Sequence, residues 1–316
     1  MKKNNNDDVG FPHLHGIIVP MITPLKERDE LDRPGLERLV EHIIAGGVHG
    51  LFILGTSGEA PALSHRLRHE LVGHVCKQVN GRVPVLVGIT DTSFVEAVQL
   101  ANHAAECGAP AVVTAPPYYL PVSQPELSDY IEQLVAEMPV PLFLYNMPQT
   151  TKVVFAIETI KSLTDLEKIA GIKDSSGDLA YYDELLKLKS LRPDWSVLIG
   201  PEHLMAETVH RGGDGGVNGG GNVYPRLLVD LYAAVKRGDA AREKELQKTL
   251  LELNKIFSVG QHASAVIKGM KCACSLLGLC DDRMAEPFMR FNPPERERVR
   301  AVLESHNIRI EPASKA

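Results

Sequence analysis

The chain has 316 residues, 44% apolar and 23% charged, with a formal net charge of -6. That length buries a large core, in one big α/β domain or two smaller ones, and the acidic balance gives no footing for nucleic acid or an anionic membrane as partner. Five cysteines, an odd number, suit reduced thiols, and no run of about 18 apolar residues offers a membrane span.

Residues 1–15 form a polar extension (Lys2, Lys3, Asn4 to Asn6, Asp7, Asp8) without an apolar signal core, which predicts a cytoplasmic location. From there short apolar runs alternate with longer amphipathic ones. The short runs cover 16–22, 50–54, 83–88, 111–114, 141–145, 169–173, 196–199 and 215–217. They are rich in Val, Ile and Leu and lack polar alternation, as parallel strands buried on both faces do.

Helical spacing fills the gaps. Leu36, Leu39, Val40, Ile43 and Ile44 precede Gly46-Gly47, and Ala97, Leu100, Ala101 and Ala104 precede Gly108. Ser93–Glu96 and Ser123–Glu126 have the spacing of capping boxes. Eight β-to-α units without a linker predict one (β/α)8 TIM barrel over 16–235. A doubly wound sheet is the alternative, but no G-x-G-x-x-G follows an early strand. Residues 236–316 then form a C-terminal helical extension, with helices near 239–256, 262–278 and 293–304, packed on the barrel or building a subunit interface.

In such a barrel the chemistry sits where strands end. Strand two ends in Gly55-Thr56-Ser57-Gly58-Glu59, where hydroxyls and backbone N–H groups can hold a carboxylate. Strand four ends in Thr114-Ala115-Pro116-Pro117-Tyr118-Tyr119 and strand five in Tyr145-Asn146-Met147-Pro148. A tyrosine can donate and accept protons where water is excluded. Strand six ends on Lys173. A lysine at a buried strand end is costly unless paired or neutral, and a neutral amine attacks carbonyl carbon. Strand seven ends in Gly200-Pro201-Glu202, and strand eight runs into Val217-Asn218-Gly219-Gly220-Gly221-Asn222, whose bare backbone allows close approach. One lysine, several phenols and a Thr-Ser pair are equipment for Schiff-base chemistry on a 2-oxo acid, which needs neither metal nor organic cofactor. A C-x-C at Cys272 and Cys274 has no second ligand pair. The histidine pairs His13/His15, His65/His69 and His203/His210 form no H-E-x-x-H. A phosphate site on the 212–221 glycine run lacks a nearby Lys or Ser/Thr cluster.

Gly55-Thr56-Ser57-Gly58-Glu59, Tyr145-Asn146-x-Pro148 and Gly171-Ile172-Lys173, in this order, resemble the dihydrodipicolinate synthase / N-acetylneuraminate lyase family of class I aldolases. The resemblance runs from about residue 16 to 231. It implies Lys173 as the Schiff-base lysine, Tyr145 as the central catalytic tyrosine, and Thr56 with Ser57 as the carboxylate-binding pair. It also implies that Thr56 shares a proton relay with a tyrosine lent by a neighbouring subunit, matched here by Tyr119, in a dimer or a homotetramer built as a dimer of dimers. Thr150 stands where the synthases carry an arginine for the carboxylate of aspartate semialdehyde, a contact that a neutral threonine cannot make. Lys152 or an arginine from elsewhere is the possible substitute. Ser175 and Glu202 fall where the sialic acid lyases place a threonine and an acidic residue, and Val217, Asn218 and Gly219 lie on the strand that lines that pocket. The implied activity is a pyruvate-dependent lyase acting on a 2-oxo-3-deoxy sugar acid. Dihydrodipicolinate synthase, a 2-oxo-3-deoxy acid dehydratase and a non-catalytic 2-oxo-acid binder are the alternatives.

Overall fold

The structure, a computed structural model, describes residues 13–308 and 310. Most of the polar N-terminal extension, residues 1–12, lies outside the described residues, as do 309 and 311–316 at the other end.

Eight strands close into a parallel barrel. They are β1 Gly16–Pro20, β2 Gly50–Ile53, β3 Val85–Gly88, β4 Ala111–Thr114, β5 Leu142–Asn146, β6 Ile169–Asp174, β7 Ser196–Ile199 and β8 Gly215–Val217. Closure comes from β1, which pairs with both β2 and β8. The expected (β/α)8 barrel is therefore present, with strand ends that differ from the sequence reading by one or two residues.

The principal helices between the strands are α1 Arg33–Ala45, α2 His65–Val79, α3 Phe94–Glu106, α4 Gln124–Glu137, α5 Ile157–Ser162, α6 Leu179–Lys187, α7 Met205–His210 and α8 Pro225–Arg237. Their starts follow from local chemistry. The side chains of Asp32, Ser64, Ser93, Ser123 and Asp178 accept from N–H groups of the first turn, which satisfies donors that the helix itself leaves orphaned. The capping box at Ser123 is reciprocal, as its spacing predicts. At Ser93 it is half-made: Ser93 accepts from the Glu96 N–H, but the Glu96 carboxylate turns to His65 Nδ1 at 3.0 Å. A hairpin of Leu25–Glu27 with Glu30–Leu31 follows β1 and was not legible as alternation over so few residues.

Two apolar layers result. Side chains such as Ile17, Val19, Leu51, Ile53, Val87 and Val112 face the helices, while Ile18, Phe52, Leu86, Val113, Phe143, Tyr145, Leu198 and Val217 fill the barrel interior. Three further α-helices follow α8: α9 Ala240–Leu253, α10 Ala265–Leu276 and α11 Pro293–Glu304. Cys272 and Cys274 are buried on α10, and burial pushes the Cys272 thiol up to about 12. Lys271, fully buried on the same helix, forms an ion pair with Glu59 of the loop after β2. Lys271 also donates to the Arg283 carbonyl at 2.6 Å, and the Ala285 N–H donates to Glu59 at 2.9 Å. The C-terminal helices are thus fastened to the barrel's carboxyl-end rim. Among the described residues no helix is long and apolar enough to cross a membrane.

Candidate active site

The register of β5 with β6 sets Tyr145 beside Lys173. Two residues earlier Gly171 has φ 151°, and a Cβ there would fall 2.2 Å from the Ser196 carbonyl oxygen, so only glycine lets β6 close on β7 beneath the lysine. Lys173 is 6% exposed. Its Nζ lies 3.9 Å from the centre of the Tyr145 ring and 5.2 Å from that of Phe52. Those two rings meet edge to face at 86°. The amine is therefore housed by aromatic faces, and among the described residues no carboxylate lies within ion-pair distance of it.

Tyr145 is the hub. Its Oη sits 3.3 Å from Thr56 Oγ1. Burial alone raises a phenol, but the Lys173 charge and hydrogen bonds with Thr56, Ser175 and Lys173 more than offset it, and Tyr145 is held below its ordinary range. Thr56 and Ser57, both half-buried, ride a turn in which Gly58 N–H donates to Gly55 O and Glu59 N–H to Thr56 O, each at 3.1 Å. Leu54 (φ 57°) and Glu59 (φ 56°) bracket that turn in the left-handed region, a cost that surrounding contacts must hold in place. Ser175 extends the cluster: a Cβ on Gly200 would fall 1.9 Å from its Oγ, so Gly200 makes room for it.

Tyr118 and Tyr119 part company. Tyr118 is half-buried, within hydrogen-bonding reach of Arg68; burial and the Asp91 charge raise its phenol. Arg68 is itself buried and paired with Asp91 at 2.7 Å. Tyr119 stands 89% exposed at φ 79°, with exposed Leu120 beside it.

Phe52, Thr56 and Tyr145 open onto a cavity of about 470 Å³, within the range of small-molecule sites. Its other walls include Tyr118, Thr150, His262, Ser264, Ile267 and Phe288. Thr150 turns its hydroxyl to the Met147 carbonyl at 3.1 Å, and Lys152 gives its Nζ to the Gln149 carbonyl at 2.8 Å. The residues expected from strands seven and eight do not line this cavity. Glu202 is buried, accepting from the Gly220 N–H at 2.7 Å, with its other oxygen 3.1 Å from the Tyr224 hydroxyl oxygen. Asn218, also buried, donates to the Gly200 carbonyl at 3.1 Å. Val217 packs in the barrel interior with Tyr145 and Leu198, and Gly219 opens the short turn that Glu202 braces. Sequence reasoning passed over the contributions of Arg68, Lys271, His262 and Ser264. No motif spacing marks them, and the helix expected to start at 262 begins at Ala265, which frees 262–264 to face the cavity.

Comparison with known proteins points to one family and the same fold. A protein of Escherichia coli (strain K12) named "Probable 2-dehydro-3-deoxy-D-pentonate aldolase" is 33% identical over 93% of this chain and 97% of its own. A solved structure described as dihydrodipicolinate synthase from Bacteroides thetaiotaomicron superposes with a TM-score of 0.89 at 49% identity, covering 92% of this chain and 98% of that one. The E. coli protein YagE, solved in complex with pyruvate, superposes with a TM-score of 0.88 at 30% identity, over 94% and 99% of the two chains. The sequence pattern of the Dihydrodipicolinate synthetase family matches residues 13–306, and the chain belongs to that family.

Proposed function

We propose that the protein is a Schiff-base-forming lyase that takes pyruvate as its ketone fragment and makes or cleaves a 2-oxo-3-deoxy sugar acid. The observation that carries this reading is the buried Lys173 amine against the Tyr145 ring, with the Tyr145 hydroxyl paired to Thr56. As a free amine, Nζ adds to C2 of pyruvate and water leaves, giving an iminium. Loss of a proton from C3 forms an enamine, and C3 then attacks the aldehyde carbon. The new alkoxide takes up a proton, and water releases the product from Lys173. Cleavage runs the same steps backwards. Tyr145 moves the proton at the hydroxyl, Thr56 and Ser57 hold the carboxylate, and Ser175 supports the phenol. Relatives named for pyruvate and for a deoxy sugar acid support the two halves of the substrate.

Tyr119 completes the relay in the neighbouring subunit's site, on this reading, which makes a dimer the smallest working unit and a homotetramer the assembly. The thiols are all free, in keeping with a cytoplasmic enzyme. Aspartate semialdehyde fits less well. Thr150 spends its one donor on a backbone carbonyl, and Lys152, one of whose three donors is bonded to the Gln149 carbonyl, does not line the cavity, so neither is poised for its carboxylate.

The test is borohydride reduction in the presence of pyruvate, followed by intact mass and peptide mapping. A stable adduct on Lys173, missing in Lys173→Ala, is expected. No adduct with pyruvate or other short 2-oxo acids would turn the reading towards a non-catalytic binder. Brisk turnover of aspartate semialdehyde would overturn the argument from Thr150.

A further inference from the structure

We infer that the aldehyde half of the substrate is read by the C-terminal helices, through His262 and Ser264, and that it carries hydroxyl groups and no carboxylate. This rests on the lyase reading above and deepens it. The cavity is lined by Phe52, Thr56 and Tyr145 and also by the segment leading into α10. The polar groups on strands seven and eight do not line this cavity: Glu202 is bonded to Gly220 and Tyr224, and Asn218 donates to Gly200 while its amide oxygen stays buried without a partner. On the cavity wall, the exposed His262 ring and the half-buried Ser264 hydroxyl make no hydrogen bond among the described residues, and Ser264 does not cap α10. They are uncommitted polar groups on a wall whose other members, Ala263, Ile267 and Phe288, are apolar.

Charge sets the class of ligand. No arginine lines the cavity, and the one carboxylate on its wall, Glu59, is already paired with Lys271. A second carboxylate buried there would lose its hydration for no committed cation, which is costly. A hydroxyl loses little, because an imidazole and a serine can each donate and accept.

The wall is also held in place. Lys271 ties α10 to Glu59, three residues after Thr56, and a Cβ on Gly269 would fall 2.3 Å from the Ile256 carbonyl, so the helix packs hard on its neighbour. These contacts hold α10, which begins one residue after Ser264, against the loop that carries Thr56 and against the segment before it.

The test uses the full-length enzyme and compares condensation of pyruvate with glyceraldehyde and with aspartate semialdehyde. His262→Ala and Ser264→Ala are each expected to raise KM for glyceraldehyde about tenfold, the cost of one lost hydrogen bond. KM for pyruvate and borohydride trapping at Lys173 should hold steady, and His262→Asn should recover part of the loss. If pyruvate is trapped but both alanine variants leave KM for glyceraldehyde unchanged, or raise both KM values alike, this inference fails and the lyase reading stands. Preference for the semialdehyde, or condensation of neither aldehyde, overturns it as well. Failure of the wild-type enzyme to trap pyruvate removes the lyase reading and the inference together.

Discussion

At the scale of single residues, two buried acids of the site region are tuned in opposite directions by what surrounds them. Tyr145 is pulled down by the Lys173 charge and its hydroxyl neighbours, against the effect of burial. Glu202 has no cation beside it. Burial raises it from 4.5 to about 7, although the Gly220 N–H and the hydroxyls and amides around it favour the anion. Proton placement agrees: the Tyr224 hydroxyl has one hydrogen and two acceptors, Asn254 Oδ1 at 2.6 Å and Glu202 Oε1 at 3.1 Å. A protonated Glu202 resolves this by donating to the phenol oxygen. Between pH 4.5 and about 7 the folded chain therefore keeps a proton that the unfolded chain has released, and stability falls as pH rises through that window. The whole effect is at most about 3 kcal/mol per chain. Glu202→Gln, which cannot ionise, should flatten this part of the profile. Melting temperatures taken from pH 5 to pH 8 should show the wild type losing ground to the variant; parallel curves would remove Glu202 as the cause.

At the scale of elements, most of the barrel was legible because strands buried on both faces leave an unbroken apolar signature, and each such run ended in chemistry-bearing residues. Gly171-Ile172-Lys173 is an example: the glycine that lets β6 approach β7 sits two residues before the lysine it positions. The fastening of the C-terminal helices was not legible. Lys271 reads as one more residue of an amphipathic helix, and Glu59 as the end of a glycine turn, since nothing local records that a buried ion pair will join them. The roles expected for Glu202 and Asn218 also depend on side-chain direction, which a strand-end position does not settle. The ion pair makes its own prediction. Lys271→Met leaves Glu59 buried without its partner, which typically costs about 3–5 kcal/mol. It should also loosen the Thr56–Ser57 turn, raising KM for pyruvate more than it lowers kcat. Replacing both partners, as Lys271→Met with Glu59→Gln, should recover most of the stability in chemical denaturation while leaving pyruvate binding weaker. A double variant no more stable than the single one would mean that the pair is not what holds the helices to the rim.

At the scale of the whole molecule, one chain supplies Tyr145, Thr56 and Tyr118 to the cavity wall, sets Lys173 against the Tyr145 ring, and turns Tyr119 outwards. A bulky residue in the left-handed region, 89% exposed and next to exposed Leu120, has a backbone cost and no return within its own chain. The two-fold interface proposed above would give that return, because the same patch would serve both partners and each tyrosine would enter the other's site. This arrangement can be separated from one in which Tyr119 acts at home. Tyr119→Phe and Tyr145→Phe are each expected to be nearly inactive. In a mixed dimer of the two, the subunit with its own Tyr145 would receive an intact Tyr119 from its partner, so one of its two sites is whole. After dissociation and random reassociation, roughly a quarter of all sites should regain activity, half of the sites in the half of the dimers that are mixed. If Tyr119 serves its own chain, no site in any mixture has both tyrosines. Activity after mixing would then stay at the level of the parents, and the exposed tyrosine would need another explanation.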